Sequence, residues 1–76
     1  MSKVAAILAE IRPELDFSGS QDFFADGLLD SFDLVTLVSE LDKTYGISID
    51  GLEITPENFG SVAAIEALLV RSGATP

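Results

Sequence analysis

The stretch that decides the fold runs from Asp26 to Tyr45 and reads DGLLDSFDLVTLVSELDKTY. Its larger part, residues 31–45, carries apolar side chains at helical spacing along one face. These side chains are Leu34, Leu37, Val38, Leu41 and Tyr45. Gly46 follows, and glycine is the preferred residue just beyond the last turn of a helix. The sequence therefore predicts a helix over residues 31–45 that a loop enters at Ser31.

Upstream of that helix, the sequence predicts a shorter amphipathic helix and a long loop. Residues 3–12 repeat apolar side chains at helical spacing, with Ser2 as a candidate N-cap and Pro13 as the residue that stops the helix. Residues 13–29 contain more apolar side chains than a fully solvated loop needs. We expect several of them to pack onto the helices: Leu15, Phe17, Phe23, Phe24, Leu28 and Leu29.

Downstream, the capping residues predict one brief helical turn and a last helix. Thr55 is a candidate N-cap with Pro56 at the first helical position. Ser61 then caps a helix over residues 62–71. Its core-facing side chains are Val62, Ile65, Leu68 and Leu69. Three longer helices and one short helix, with no alternating strand pattern, predict an all-α fold: a small four-helix bundle forming one domain over residues 1–76.

The chain is small, acidic and rich in apolar residues. Of its 76 residues, 47% are hydrophobic, and 13 acidic against 4 basic side chains give a formal net charge of −9. Nucleic acids and anionic lipids carry the same sign of charge and would be repelled, whereas a partner with a basic patch would be attracted. We therefore expect a folded monomer that binds neither nucleic acid nor membrane and docks on proteins with basic patches.

The absence of Cys and His excludes several kinds of chemistry. No disulfide can form, the usual zinc ligands are missing, and neither a Ser-His nor a Cys-His nucleophile pair can be built. Two-carboxylate catalysis remains open, but 76 residues leave little room for both a core and a substrate cleft. Since the N-terminus lacks the apolar run of a signal peptide and no stretch approaches a membrane span, we expect a cytoplasmic protein.

Ser31 stands where the long loop enters the strongest predicted helix. The first turn of a helix presents unpaired backbone N–H groups and the positive end of the helix dipole, which together favour a bound phosphate. The alternative is purely structural, because Asp and Ser are preferred N-cap residues and Asp30-Ser31 would then only start the helix. Capping preferences alone favour this second interpretation.

Phe32 lies away from the predicted core face of the same helix. At about 100° per residue it is roughly 160° from Leu34 on a helical wheel, close to Thr36 and Ser39. An outward-facing Phe beside Ser31 indicates a contact surface. The alternative is that the preceding loop folds over the ring.

The segment Gly27-Leu28-Leu29-Asp30-Ser31-Phe32 resembles the phosphopantetheine attachment motif of acyl carrier proteins, whose core is Asp-Ser-Leu. Chain length, acidic balance, the long first loop and the order of the helices extend the resemblance to nearly the whole sequence. Phe32 stands where the family usually has Leu, and Leu-Leu precedes Asp30, two features similar to D-alanyl carrier proteins. The resemblance implies a helical bundle of the acyl-carrier-protein type.

The resemblance also implies a carrier function without catalytic groups in the chain itself. A phosphopantetheinyl transferase would attach 4'-phosphopantetheine from coenzyme A covalently to Ser31, which Asp30 precedes. Acyl or aminoacyl thioesters on this arm would then reach partner enzymes of fatty acid, polyketide or related biosynthesis. Partners would dock on the helix after the serine, at Phe32, Asp33, Val35, Thr36, Ser39, Glu40 and Asp42. An acyl groove would be lined by Ile49, Ile54 and Val62.

Three alternatives stay open beside this interpretation. A D-alanyl or peptidyl carrier would use Ser31 in the same way for a different cargo. An unmodified acidic helical adaptor would have the same fold, with Ser31 as an ordinary cap. The third is a calcium loop, because Asp22, Asp26, Gly27, Asp30 and Asp33 match positions 1, 5, 6, 9 and 12 of an EF-hand. Phe24 at position 3 and Asp33 in place of the long Glu count against it, so we expect no specific metal site.

Overall fold

The computed structural model describes residues 3–15, residue 17 and residues 22–76. Four helices follow one another along the chain: α1 (Val4–Ile11), α2 (Ser31–Tyr45), α3 (Pro56–Phe59) and α4 (Val62–Arg71). A single 3₁₀ turn, Gly51–Glu53, precedes α3, and the described residues contain no strand. The predicted all-α bundle of three longer helices and one short helix is therefore confirmed.

The predicted helix boundaries agree with the structure where capping residues mark them. α2 ends at Gly46, whose φ of 64° is the left-handed conformation that glycine adopts without strain. The side chains of Thr55 and Ser61 accept hydrogen bonds from the backbone N–H groups of Asn58 and Ala64, as N-caps of α3 and α4. Helix starts with a capping side chain are thus set by local hydrogen bonds.

Two details differ from the sequence-based prediction. Ser2, the candidate N-cap of α1, lies outside the described residues, and the N-cap position itself is Lys3, whose side chain makes no capping hydrogen bond. The 3₁₀ turn was not predicted. It forms because the Asp50 side chain accepts a hydrogen bond from the N–H of Leu52, a local turn too short to produce apolar periodicity.

One hydrophobic core joins the helices and the long first loop. α1 packs against α2 and α4, and α3 packs against α4. The fully buried side chains of the core include Val4, Leu8, Phe23, Leu37, Leu41, Phe59, Ile65 and Leu69. From the loop, Phe17, Phe23 and Leu29 are buried, and Leu15, Phe24 and Leu28 pack against them while remaining partly exposed. The expectation that loop side chains complete the core is confirmed.

Phe23 fixes the loop in place. Its ring meets that of Phe17 edge-on, with centroids 5.1 Å apart, and its backbone N–H donates to the carbonyl of Gly60 over 2.7 Å. Gly60 is buried between α3 and α4, where an added Cβ would lie only 2.9 Å from the carbonyl oxygen of Pro56. Phe23 therefore holds the chain before Ser31 through both its aromatic ring and its backbone N–H.

Separate replacement of Phe23 and Phe32 tests whether the first belongs to the core and the second to the surface. Phe23→Ala should lower the free energy of unfolding by about 3–5 kcal/mol, because Phe23 is fully buried. Phe32→Ala should change it by less than about 0.5 kcal/mol, because Phe32 is 84% exposed. Urea denaturation followed by circular dichroism measures both values. Similar losses in the two variants would place Phe32 in the core.

Candidate phosphopantetheine attachment site

The start of α2 is held by a reciprocal pair of hydrogen bonds between Asp30 and Asp33. Asp30 is the N-cap, and its Oδ1 accepts from the N–H of Asp33 over 2.9 Å. In return, Oδ2 of Asp33 accepts from the N–H of Asp30 over 3.2 Å. This capping box satisfies two backbone donors that a helix start otherwise leaves unpaired.

Arg12, just after the last residue of α1, completes this arrangement. Its Nε donates to Oδ1 and Oδ2 of Asp33 over 3.1 and 3.0 Å, and its Nη2 lies 2.9 Å from Oδ2. The same Nη2 is 3.6 Å from Oδ2 of Asp30. One guanidinium therefore ties the end of α1 to the first turn of α2. We call Arg12, Asp30 and Asp33 together the Arg12 clamp.

The clamp keeps the Asp33 carboxylate charged although it is buried. Desolvation by burial alone would raise the pKa of Asp33. The hydrogen bond from Arg12, the hydrogen bond from the backbone N–H of Asp30 and the charge of Arg12 outweigh it, and the pKa of Asp33 is lowered. Reciprocally, the hydrogen bond and charge of Asp33 raise the pKa of Arg12. The ion pair therefore persists over the whole neutral range.

Ser31 occupies the first helical position and is exposed. Its hydroxyl makes no hydrogen bond to any residue that the structure describes, and neither its backbone N–H nor that of Phe32 does so. Because Asp30 and Asp33 supply the capping hydrogen bonds, the helix start does not use the Ser31 hydroxyl. Of the pair Asp30-Ser31 that the capping interpretation named, Asp30 is therefore the N-cap, whereas Ser31 takes no part in the capping hydrogen bonds.

Beyond Ser31, the outer face of α2 is apolar at its centre and uncharged around it. Phe32 and Val35 are 84% and 67% exposed, and Thr36 and Ser39 are exposed beside them. The hydroxyl of Thr36 donates to the carbonyl of Phe32 within the helix. The prediction that Phe32 points away from the core is confirmed, and the alternative of a loop covering it is wrong.

The acidic residues of α2 lie at the margin of this face or inside the fold. Asp33, expected among the partner contacts, is only 9% exposed and is turned toward α1, where the clamp uses its carboxylate. This expectation is corrected for Asp33. Glu40 and Asp42 are half-buried, and Oδ1 of Asp42 accepts from the N–H of Ile49 over 3.0 Å, which fixes the chain after α2.

The three residues expected to line an acyl groove all belong to the core or its edge. Ile49 is 7% exposed and lies within the buried cluster, while Ile54 and Val62 are partly exposed and pack against it. Separately, an open cleft of about 190 Å³ borders the Arg12 clamp, with Leu15, Leu28 and Glu14 in its walls. The first set is continuous with the core, and the second adjoins the loop before Ser31.

The carboxylates of the calcium-loop alternative have other partners. Oδ1 of Asp22 accepts from the N–H groups of Phe24 and Ala25, and Asp30 and Asp33 form the capping box. Within residues 3–15, 17 and 22–76, no three acidic side chains converge on a point where a metal ion would fit. The carboxylates of Asp22, Asp30 and Asp33 thus act as local caps of a turn and a helix.

A comparison with protein families gives a match over a range that includes the Arg12 clamp and Ser31. The family model described as "Phosphopantetheine attachment site" matches residues 2–69. The chain belongs to this phosphopantetheine-attachment family. Phosphopantetheine-attachment domains are carrier domains to which 4'-phosphopantetheine is bound covalently, and the chain is such a domain. No curated protein and no solved structure matches the chain significantly.

The first helical turn of this phosphopantetheine-attachment domain fits the group. The N–H groups of Ser31 and Phe32 have no hydrogen-bond partner among the described residues, and together with the dipole of a 15-residue helix they suit the negative charge of a phosphodiester. The exposed hydroxyl of Ser31 leaves room for the bulky arm. No helix in the described part of the chain has the length and apolar character that crossing a membrane would need.

Arg12 is the site residue that the sequence-based reasoning did not single out. It contacts Asp33 across 21 residues of sequence, a separation at which helical periodicity gives no information. The sequence does contain one signal for this residue: Arg12 is the only basic residue between Lys3 and Lys43, in a strongly acidic stretch. A lone cation among many carboxylates is expected to find an ion-pair partner.

The lowered pKa of Asp33 predicts a pH-dependent contribution to stability. At pH 7, Asp33→Asn should lower the free energy of unfolding by about 1–2 kcal/mol, since the cap and the ion pair are both weakened. A carboxylate whose folded pKa is depressed stabilises the fold above its unfolded pKa of about 3.9, and this contribution disappears as pH falls through the folded value. The difference between wild type and Asp33→Asn should therefore shrink below about pH 4.

Urea denaturation at pH 7, 5, 4 and 3 measures this difference. Glu10→Gln is the matched control, because Glu10 is exposed on α1 and has no ion pair with a described residue. A difference for Asp33→Asn that stays constant from pH 7 to pH 3 would contradict the assignment of an ionised, clamped carboxylate.

Proposed function

We propose that the chain is an acyl or aminoacyl carrier whose phosphopantetheine is attached to the hydroxyl of Ser31. The observation that carries this proposal is the free, exposed hydroxyl of Ser31 at the start of α2, in a helix start that other side chains cap. The hydroxyl thus has no structural task in the described fold. It lies in the segment that the phosphopantetheine-attachment family matches.

The attachment reaction needs only the hydroxyl and its presentation from this chain. A phosphopantetheinyl transferase takes the hydroxyl proton of Ser31, the serine Oγ bonds to the phosphorus that bears pantetheine, and the pyrophosphate bond of coenzyme A breaks. Adenosine 3',5'-bisphosphate leaves. The bound group supplies a thiol on a long flexible arm, which holds the cargo as a thioester.

The outer face of α2 is the docking surface in this proposal. Phe32 and Val35 form its apolar centre beside Ser31, and Thr36 and Ser39 surround them. Glu40 and Asp42 lie at its margin. The transferase that modifies the Ser31 hydroxyl has to approach this surface, because Phe32 adjoins the attachment point. An apolar centre slows dissociation, whereas the net charge of −9 speeds association with basic partners and makes it sensitive to salt.

Two classes of cargo are compatible with a thioester on this arm. Enzymes of fatty acid or polyketide biosynthesis are one set of partners, and an acyl chain would enter the core edge at Ile49, Ile54 and Val62. The second candidate is a D-alanyl or peptidyl carrier, which Leu28-Leu29 and Phe32 favour. We also propose that the protein is a cytoplasmic monomer.

Attachment at Ser31 is tested by intact mass. Incubation with coenzyme A and a broad-specificity phosphopantetheinyl transferase should add one phosphopantetheine to the wild type and none to Ser31→Ala. Circular dichroism of both proteins verifies that each is folded. A folded wild type that gains no mass would reject the carrier function and favour the unmodified adaptor.

Docking on the outer face predicts a loss of recognition without a loss of stability. Phe32→Ala should lower kcat/KM for phosphopantetheine transfer by about tenfold or more, since a buried Phe contributes about 1.5–3 kcal/mol to an interface. Val70→Ala is the matched control, because Val70 is 62% exposed but lies on α4. Transfer kinetics measured by mass spectrometry should show the loss for Phe32 alone. Equal kinetics in both variants would exclude Phe32 from the docking surface.

A further inference from the structure

The Arg12 clamp fixes the backbone on both sides of Ser31. Asp30 immediately precedes Ser31, and Asp33 follows two positions later. Each of the two residues donates its backbone N–H to the carboxylate of the other, and Arg12 binds both carboxylates. No atom of Arg12 has a hydrogen bond or an ion pair with Ser31 itself. Any influence of Arg12 on Ser31 therefore passes through Asp30 and Asp33.

We propose that Arg12 is a positioning residue for phosphopantetheine transfer, which holds the Asp30–Asp33 segment in the conformation that presents the Ser31 hydroxyl. This inference rests on the proposed attachment at Ser31. Without Arg12, the buried Asp33 carboxylate loses its only cation, because no other basic side chain in the described part of the chain pairs with it. The carboxylate would then turn toward water and release the N–H of Asp30.

Such a release would affect the reaction more than the fold. The transferase has to place the serine Oγ in line with the phosphorus, and small errors in the position of a reacting atom lower the rate strongly. A segment that is ordered beforehand avoids the conformational entropy that ordering it in the complex would cost. The core lies elsewhere, around Phe23, Leu37 and Ile65, and does not include Arg12.

The chemistry of the side chain explains why arginine suits the position. Its planar guanidinium presents several N–H donors at fixed angles, so Nε and Nη2 reach Asp33 together while Nη2 also faces Asp30. Lysine offers a single ammonium and would keep the charge but lose part of this geometry. Arg12→Lys should therefore retain part of the function, and Arg12→Ala should lose it.

A second arginine of the same chain provides a matched control. Nη2 of Arg71 lies 3.5 Å from Oε2 of Glu53 and donates to Oδ1 of Asn58 over 3.3 Å. This network links the end of α4 to Asn58 in α3 and to Glu53 before α3, and it involves no residue of α2. Arg71→Ala thus removes an arginine of comparable surroundings without touching the first turn of α2.

The test measures transfer to the full-length variants at a temperature at which each is folded. Relative to wild type, Arg12→Ala should lower kcat by about tenfold with KM changed by less than about threefold, because the docking face is intact. Arg12→Lys should lie between the two, and Arg71→Ala should remain within about twofold of wild type. Amide hydrogen exchange supplies a local readout: protection of the Asp30 and Asp33 N–H groups should fall in Arg12→Ala, while that of Ala64, capped by Ser61, should not.

Each outcome decides one question. Failure of the wild type to accept phosphopantetheine rejects the proposed function itself. Normal transfer to wild type and to Arg12→Ala alike overturns the positioning role and leaves the carrier function standing. An equal loss in Arg71→Ala also overturns it, because the cause would then be general destabilisation. Should Arg12→Ala fail to fold, a normal rate for Arg12→Lys, with loss of Asp30 protection, overturns the proposal.

Discussion

The contact between the Arg12 guanidinium and the Asp33 carboxylate is the interaction on which the first turn of α2 depends. It joins the end of α1 to the start of α2 and holds one half of the capping box that begins α2. Because Asp30 and Asp33 provide the capping hydrogen bonds, Ser31 at the first helical position is left without a structural task. Because Asp30 and Asp33 cap the helix from either side of Ser31, the Ser31 hydroxyl makes no hydrogen bond to a described residue.

The two faces of α2 differ in burial: one packs into the core and the other is exposed beside Ser31. Leu37 and Leu41 are fully buried and tie the helix to the core, whereas Phe32 and Val35 remain exposed beside Ser31. The loop before the helix is held separately, through Phe23 and its contacts with the α3–α4 junction. In the proposed function, presentation of Ser31 therefore rests on the loop before it, the first turn of α2 and the exposed outer face.

Charge is distributed in a way that suits this role. The chain has four basic side chains, and two of them, Arg12 and Arg71, form ion pairs within the fold. Their positive charge is therefore partly neutralised by internal carboxylates, while most acidic side chains stay at the surface. A net charge of −9 attracts basic protein surfaces, and this attraction weakens with added salt. In the proposed function, the apolar centre at Phe32 adds contact energy that salt does not screen.

Most of the fold could be predicted from the sequence because nearby residues determine where the helices begin and end. Gly46, Thr55 and Ser61 end or begin helices through bonds to neighbours a few positions away, and α2 follows its apolar periodicity. The clamp was not predictable in this way. Asp33 was placed on the docking surface through the resemblance to acyl carrier proteins, and neither that resemblance nor helical periodicity reveals its ion pair with Arg12, just after the end of α1.

The most direct test of this account is to locate the prosthetic group along the chain. The protein loaded with phosphopantetheine is digested, and its peptides are fragmented in a tandem mass spectrometer. The account predicts that fragment ions place the entire added mass on Ser31, between Asp30 and Phe32. Added mass on another serine, such as Ser39 or Ser61, would contradict it.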